Sequence, residues 1–285
     1  MIMKKKMRLK NKKSKRLKEI LRKLTSKELK DNFLVVLSAG GESSRFKNIK
    51  NAGHVQKTAY ILPSGETMIE RTVLMYKKAG FSNFVILLYH NADSVIKLLG
   101  DGSRFKVSIV YSHDPKKPVG RGGAIKHAFN KGIIHPKNYL IVHNPDDQII
   151  GESHKTIQNV AKAHISNENS GALATAVMVP NVKHEFTGFT IKKGFVYDVE
   201  MYPFINIPTH IGLTVFSPGI HKYFENLFDL NKKTDFEAVL FPLLAKVKKL
   251  AAHMIPTGAW ISVNDEKGLK KLISALEIEQ KKKTK

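Results

Sequence analysis

The chain of 285 residues contains no cysteine. Disulfide bonds, thiolate nucleophiles and cysteine-ligated zinc sites are therefore excluded as sources of stability or catalysis. The twelve histidines show none of the paired spacings that are typical of zinc sites. A sequence without cysteine also fits a reducing compartment, and we expect a cytoplasmic protein.

Long apolar runs are missing as well. No stretch approaches the roughly 20 consecutive apolar residues that a membrane-spanning helix needs. The first residues also lack the apolar core of a secretion signal. The sequence therefore predicts no integral membrane segment.

Acidic residues are scarce, because 24 Asp and Glu stand against 48 Lys and Arg, which gives a net charge of +24. Half of this excess lies in residues 1–30, which hold fourteen Lys and Arg but only two Glu. Apolar residues recur at helical spacing between Leu17 and Leu24, a pattern typical of a basic amphipathic helix. We predict a basic arm over residues 1–31, disordered or helical. Two interpretations stay open, a solvated extension or a weak contact to a polyanion such as nucleic acid or anionic lipid.

From residue 32 onward, short apolar runs alternate with segments of helical character. The runs Phe33–Leu37, Phe84–Leu88 and Tyr139–Val142 have the length and composition of buried strands. This alternation predicts a Rossmann-like α/β fold with a doubly wound, mainly parallel sheet. After about Pro180 the pattern changes, and a hairpin turn at residues 192–194 indicates a mixed, partly antiparallel second half.

The first predicted strand runs into a glycine-rich loop, in which Ala39, Gly40 and Gly41 are followed by Ser44 and Arg45. Glycines let backbone N–H groups approach phosphate oxygens, and an arginine adds donors arranged to match them. The loop is not a P-loop, which would end in Gly-Lys-Ser or Gly-Lys-Thr. Alone, the motif fits an ordinary tight turn as well as it fits a phosphate site.

Further short motifs follow this loop in a characteristic order. They are Leu37–Gly41 with Ser44–Phe46, Lys57, Gly65 with Ile69–Thr72, Pro118 with Gly120 and Gly122–Ile125, Asn144–Asp147, Gly188 with Glu200, Ile211–Pro218, and Trp260–Asn264. In this order the motifs resemble those of the sugar-1-phosphate nucleotidylyltransferases. The resemblance spans about residues 33–272, and its specificity comes from the order of the motifs rather than from any single one.

The resemblance implies an activity and a division of the chain. The implied reaction transfers a nucleotidyl group from a nucleoside triphosphate to a sugar 1-phosphate, which releases pyrophosphate and forms an NDP-sugar. One nucleotidyltransferase domain is expected at residues 32–275, with a nucleotide-binding half at 32–150, a sugar-binding half at 151–275 and a basic tail at 276–285.

The resemblance also implies site residues. Arg45 would hold the departing phosphates, Lys57 would neutralise the reacting phosphates, and Asp146 would hold Mg²⁺. The implied nucleotide contacts are Ala39, Gly40, Gly41, Ser44, Arg45, Pro118, Gly120 and Gly123; the implied sugar contacts are Gly188 and Glu200; and the further metal candidates are Asp147, Ser262 and Asp265. A transfer of this kind depends on positioning and charge neutralisation more than on covalent catalysis.

The chain departs from the family pattern at four positions. Ser43 and Pro145 replace glycines, and Met201 stands where a lysine is common. Ser262 occupies the position at which the family usually supplies a second metal-binding aspartate, and a neutral hydroxyl is a poorer Mg²⁺ ligand than a carboxylate. An alternative therefore stays open, a degenerate relative that binds nucleotide or sugar phosphate without turnover.

Overall fold

The computed structural model describes residues 32–42, 46 and 55–283. The strands are β1 (Phe33–Ser38), β2 (Asn83–Leu88), β3 (Ser108–His113), β4 (Tyr139–His143), β5 (Asp147–Ile149), β6 (Ala174–Val179), β7 (Val182–Lys183), β8 (Gly188–Lys192), β9 (Phe195–Glu200), β10 (Phe204–Ile205), β11 (Thr209–Phe216), β12 (Leu250–Met254) and β13 (Trp260–Ser262). The α-helices are α1 (Met68–Ala79), α2 (Ala92–Leu99), α3 (Gly120–Asn130), α4 (Ser153–Glu168), α5 (His221–Leu227), α6 (Phe236–Lys246) and α7 (Glu266–Lys283). The predicted basic arm at residues 1–31 lies outside the described residues.

Seven strands form the central sheet in the order β12-β6-β11-β4-β1-β2-β3. The pairs β1–β2, β1–β4, β2–β3 and β6–β12 are parallel. Strand β11 runs antiparallel between β4 and β6. The prediction of a doubly wound, mainly parallel sheet with a mixed second half is confirmed.

The sheet is covered by helices on both faces because its strands are apolar on both faces. In β1, Val35 and Leu37 point into one core, which is closed by α1, α2 and α4. Leu34 and Val36 point into the opposite core, which is closed by α3, α5 and α6. This double coverage explains why β1 reads as a continuous apolar run rather than as an alternating one.

Helix α1 is defined at both ends by the sequence. Thr67 and Glu70 form a reciprocal capping box at its start, in which each side chain accepts the other residue's backbone N–H. Gly80 ends the helix in the left-handed conformation with φ 98°. Helix α7 then packs Leu269 and Leu272 against the segment that leads into α1.

The second half of the chain adds four short strands that are not part of this sheet. Strands β7 and β10 pair with each other, and β8 and β9, which lie between them in the chain, form a hairpin. Lys193 and Gly194 make the turn with φ 48° and 84°, which confirms the hairpin predicted at residues 192–194.

The division of the chain that we expected can be compared with these elements. Strand β11, from the second half, lies inside the sheet between β4 and β6. Helix α7 runs from Glu266 to Lys283 and so continues past residue 276, where we placed the start of the basic tail. Within residues 55–283, no helix combines the length and the apolar character needed to cross a bilayer.

Candidate active site

The carboxyl ends of β1 to β4 meet at one edge of the sheet and border a cleft of about 290 Å³. Open α/β sheets bind their ligands at this edge. The cleft is lined by Gly40 after β1, by Asp114 after β3, and by Asn144 and Asp146 after β4. Three separate chain segments therefore bring polar groups to one place.

The glycine-rich loop forms part of the cleft wall. Ala39 is buried and donates its N–H to the Leu87 carbonyl at 2.9 Å, while Gly40 and Gly41 line the cleft. A Cβ atom at Gly40 would lie 3.0 Å from the backbone nitrogen of Tyr89, so a larger residue would push the ends of β1 and β2 apart. Ser44 and Arg45, which the sequence also placed here, lie outside the described residues.

A tight turn from Pro118 to Gly123 forms another wall. Pro118 and Gly120 line the cleft, and Gly123 follows in the first turn of α3. Gly120 has φ +73°, and a Cβ atom there would lie 2.6 Å from the carbonyl oxygen of Thr234. The backbone of Thr234 also donates to the Val119 carbonyl at 2.9 Å. The segment before α6 therefore fixes the shape of this turn.

Arg121 is a cleft residue that the sequence reasoning missed. Its guanidinium lies 2.7 Å from Glu237 and 3.3 Å from Asp235, and it donates to the Asn144 amide oxygen at 3.4 Å. An arginine between glycines at the start of a helix was the available signal. Two carboxylates hold this cation in place, so it is preorganised rather than free to follow a ligand.

Asp114 was also missed. One of its carboxylate oxygens accepts the Val119 N–H at 3.1 Å, which ties the end of β3 to the tight turn. Burial raises the pKa of Asp114 above its ordinary value. Nothing in the local sequence distinguishes this residue from an ordinary turn aspartate.

Lys57 and Asp146, predicted from separate motifs, form an ion pair. The Lys57 ammonium also donates to the Asn264 amide oxygen at 3.3 Å. Lys57 lies at the start of a short 3-10 turn, and Asp146 lies just beyond β4. Their side chains are only 12% and 19% exposed, so the pair is partly shielded from water and its attraction is stronger than that of a surface pair.

Asp147 points away from this pair into the protein. Its carboxylate accepts hydrogen bonds from the Trp260 indole N–H at 3.0 Å, from the Asn144 amide at 3.2 Å and from the Ser262 hydroxyl. Burial, with a further contribution from the Asp146 charge, raises the pKa of Asp147 to about 7. Asp147 therefore ties β5 to β13.

Ser262 and Asp265 are both engaged within the protein. Ser262 pairs with Asp147 across β13 and β5, and its hydroxyl accepts a hydrogen bond from the Asn264 amide at 2.8 Å. Asp265 precedes α7 and accepts the Gly268 N–H at 2.8 Å, as a helix-capping residue does. Ser262 is therefore connected to Lys57 through the Asn264 side chain. Asp265 instead caps helix α7.

His143 is a buried residue that stabilises the segment after β4. Its Nε2 lies 2.8 Å from the Asp147 carbonyl, which can only accept, so Nε2 carries the proton and Nδ1 accepts from the Tyr76 hydroxyl at 3.0 Å. Burial lowers the pKa of His143 to about 4, which keeps the ring neutral. The residue thus fixes the loop that carries Asp146.

Gly188 and Glu200, the predicted sugar contacts, are brought together by the hairpin. They are directly paired across β8 and β9. Glu200 is exposed, and neither residue is among those that line the cleft beside Asp146. The hairpin therefore places them near each other but outside the cleft.

The sequence of the chain matches the model of a known protein family. The profile of the nucleotidyl transferase family matches residues 34–276, which include the central sheet except for Phe33 at the start of β1, and all the residues that line the cleft. This chain is a member of the nucleotidyl transferase family. No curated protein sequence matches it.

Solved structures of similar fold include two bacterial proteins. One, assigned as a glucose-1-phosphate thymidylyltransferase from Bacillus anthracis and bound to sucrose, superimposes with a TM-score of 0.62 at 18% identity, over 85% of this chain and 94% of that one. The other, HddC from Yersinia pseudotuberculosis, gives a TM-score of 0.60 at 20% identity, over 85% of this chain and 99% of that one. At these identities the likeness establishes the fold, and the reaction must be argued from the site.

The donor set can be tested against the Mg²⁺ that the family implies. Within the described residues, no group of three or more His, Asp or Glu side chains could hold a metal ion. Mg²⁺ bound with a nucleotide usually takes only one or two protein carboxylates, because phosphate oxygens and water supply its other ligands. Asp146, which lines the cleft, fits this role, whereas Asp147 already accepts three hydrogen bonds in the interior.

Proposed function

We propose that this nucleotidyl transferase uses a sugar 1-phosphate as acceptor and forms an NDP-sugar with release of pyrophosphate. The observation that carries the proposal is the Lys57–Asp146 ion pair at the carboxyl edge of the sheet. The chain that contains this pair belongs to the nucleotidyl transferase family. A fixed ammonium and a carboxylate beside a glycine-lined cleft suit the binding of phosphate groups together with a divalent cation.

In the proposed reaction, a phosphate oxygen of the acceptor attacks the α-phosphorus of a nucleoside triphosphate. A new phosphorus–oxygen bond forms, the bond from the α-phosphorus to the bridging oxygen breaks, and pyrophosphate leaves with that electron pair. Such a transfer needs alignment of the two substrates and neutralisation of their negative charge.

The chain supplies both requirements. Lys57 neutralises charge on the reacting phosphates, and its anchoring by Asn264 reduces the reorganisation needed when the substrates bind. Backbone groups of Gly40 and Gly41 would approach the phosphates, and Arg45 would hold the departing ones. Asp146 would hold Mg²⁺, which neutralises the charge of the triphosphate when it is bound.

The two substrates would occupy different sides of the cleft. The turn from Pro118 to Gly123 would contact the base through backbone groups, and Thr234 keeps that turn in a single shape. Gly188 and Glu200 would contact the sugar, with the Glu200 carboxylate accepting hydrogen bonds from sugar hydroxyls.

A second candidate is a relative that binds nucleotide without turnover. It is favoured by Ser262, which hydrogen-bonds with Asn264 and Asp147 where the family usually has a metal-binding carboxylate. In that case the cleft would still bind a triphosphate, but the charge needed for transfer would be incomplete.

One experiment separates the two candidates. A panel of nucleoside triphosphates and hexose 1-phosphates is incubated with the full chain and Mg²⁺, and pyrophosphate release is measured, with Asp146→Asn as the control. If the chain is an enzyme, at least one pair of triphosphate and hexose 1-phosphate should give pyrophosphate release, and Asp146→Asn should abolish it. Nucleotide binding without release across the whole panel would establish the non-catalytic relative.

A further inference from the structure

Arg121, Asp235 and Asn144 form a polar cluster on the cleft wall that the proposed reaction does not use. Arg121 lies between two glycines of a recognised motif but is not itself part of that motif. Its guanidinium is fixed by the carboxylates of Asp235 and Glu237 and lies 5.5 Å from the centre of the Phe236 ring. An arginine held in this way keeps its planar set of donors in one orientation, which suits the recognition of a particular ligand group.

Two members of the polar cluster have hydrogen-bonding atoms left for a ligand. The Nε and Nη1 atoms of Arg121 contact protein acceptors, whereas Nη2 donates to no acceptor in the part of the chain that the structure describes. Asp235 accepts the backbone N–H of Arg121 at 3.0 Å and its Nε–H at 3.3 Å, both at Oδ1, and no described residue donates to Oδ2. Both residues line the cleft, and their side chains are 29% and 48% exposed. They therefore offer a donor and an acceptor on neighbouring side chains.

The charges in and beside the polar cluster favour an uncharged ligand group. The carboxylates of Asp235 and Glu237 balance the cations of Arg121 and Lys233, and Lys233 also lines the cleft. A phosphate group would find no excess of positive charge here, and the Asp235 carboxylate would repel it. A hydroxyl group can instead accept from the Arg121 Nη2 and donate to the Asp235 Oδ2. The chemistry of the cluster therefore matches the hydroxyl groups of a sugar.

The strand order places the polar cluster in one part of the cleft. The Arg121 side chain reaches Asn144, which follows β4, and its Nη1 donates to the amide oxygen there at 3.4 Å. Glu237, which holds Arg121, lies 3.9 Å from His210 of β11, the strand that flanks β4 on the side opposite to β1. The glycine-rich loop after β1 and the segment after β3 line the other part of the cleft. A nucleotide bound in that other part would leave the polar cluster to the acceptor.

We propose that the polar cluster binds hydroxyl groups of the acceptor, with Arg121 as a specificity-determining residue, and that the chain selects a sugar 1-phosphate whose ring carries no acidic group. This rests on the proposed function, which supplies the acceptor, and it adds the cluster to the predicted contacts Gly188 and Glu200. An acidic group that faced the cluster would lie beside Asp235 with no unpaired cation to receive it.

The Arg121 guanidinium can be removed while the turn around it stays in place. The Thr234 backbone donates to the Val119 carbonyl at 2.9 Å, and the Gly122 N–H donates to the Thr234 carbonyl at 3.0 Å. The Arg121 backbone N–H donates to Asp235. None of these bonds involves the guanidinium, and methionine keeps the apolar part of the side chain. Arg121→Met should therefore leave any contact between the turn and the base intact.

The test measures pyrophosphate release by the full chain, with the hexose 1-phosphate and the triphosphate varied in turn. Arg71→Met is the matched control, because Arg71 is also held by two carboxylates, Glu66 at 3.4 Å and Glu279 at 3.3 Å, but does not line the cleft. In Arg121→Met we expect the KM for the acceptor to rise by about 10-fold or more and the KM for the triphosphate to stay near its wild-type value. Both values should stay unchanged in Arg71→Met. Thermal denaturation checks that both variants fold.

Asp235→Asn tests the selection of the sugar. Asparagine keeps an oxygen for the Arg121 backbone N–H and removes the negative charge. For the wild type we expect kcat/KM to be about 10-fold or more higher with a hexose 1-phosphate than with the uronic acid 1-phosphate of the same configuration. Asp235→Asn should narrow this difference, because the charge that repels the acid is gone.

The outcomes separate this proposal from the proposed function. An unchanged acceptor KM in Arg121→Met, an equal rise of both KM values, or equal use of neutral and acidic acceptors by the wild type would overturn the role of the polar cluster, and the proposed function would stand. A wild-type chain that releases no pyrophosphate with any acceptor would overturn the proposed function, and the role of the cluster with it.

Discussion

Replacing Lys57 by methionine tests the centre of the proposed site. Methionine keeps the apolar stem of the side chain and removes only the ammonium, which contacts Asp146 and lies 3.3 Å from the Asn264 oxygen. Loss of one preorganised charge or donor from a transition-state site typically lowers turnover by about 10²–10³-fold. We therefore expect pyrophosphate release to fall by at least about 10²-fold, mainly through kcat.

The same substitution should lower stability by a moderate amount. Exposed ion pairs contribute about 0–1 kcal/mol, and removal of one partner from a fully buried pair costs about 3–5 kcal/mol. The Lys57–Asp146 pair, with side chains 12% and 19% exposed, lies between these cases, so we expect a loss of about 1–3 kcal/mol. Adding Asp146→Asn removes the unpaired carboxylate and should restore part of this stability without restoring turnover.

Three measurements test these expectations. They are turnover, thermal denaturation and a double-mutant cycle of Lys57→Met with Asp146→Asn. Lys267→Met is the matched control, because Lys267 forms an exposed ion pair with Glu185 at 3.4 Å, and we expect neither turnover nor stability to change there. Wild-type turnover in Lys57→Met would refute our assignment of Lys57 to the reacting phosphates. A loss of turnover explained wholly by unfolding would refute it as well.

Three further predictions follow from other parts of the molecule. Ser262→Asp should lower the melting temperature in the presence of a chelator, because the new carboxylate would lie beside that of Asp147. Mg²⁺ should restore more stability in this variant than in Ser262→Asn. Identical responses of the two variants to Mg²⁺ would show that position 262 does not face the metal. Deletion of residues 1–31 should leave folding and turnover on small substrates intact and weaken any salt-sensitive binding to RNA or anionic vesicles, so unchanged polyanion binding would exclude the arm as the contact. Burial lowers the pKa of His164 to about 3, so its protonation in the unfolded chain costs stability as the pH falls below about 6.5. His164→Gln should therefore reduce the loss of unfolding free energy between pH 7 and pH 5 by about 2 kcal/mol in urea titrations, and an unchanged pH dependence would contradict this.

The central sheet could be predicted from the sequence because its signal is local. A run such as Phe33–Leu37 is apolar on both faces, and only a strand covered by helices on both sides has that requirement. The position of β11 between β4 and β6 was not predictable in the same way, because pairing between strands distant in the chain leaves no mark in either segment.

The candidate site was only partly predictable for the same reason. Lys57 and Asp146 belong to recognisable motifs, and the fold brings them together from 89 positions apart. The role of Asp147 depends instead on the register of β5 against β13, which places Ser262 and the Trp260 indole beside its carboxylate. Arg121 is held by Asp235 and Glu237 from a distant helix start, a contact that only the folded chain reveals.

The place of β11 in the sheet also constrains how the chain folds during synthesis. When residues 32–150 have left the ribosome, β4 can pair with β1 on one side, but its other edge has no native partner until Thr209–Phe216 emerge. That open edge exposes the backbone of an apolar strand, Tyr139–His143, which is a template for pairing with other chains. At 5–20 residues per second, about 70 further residues require roughly 3–14 seconds of translation. The nascent chain therefore passes through an aggregation-sensitive interval, and a separately expressed first half would remain in that state permanently.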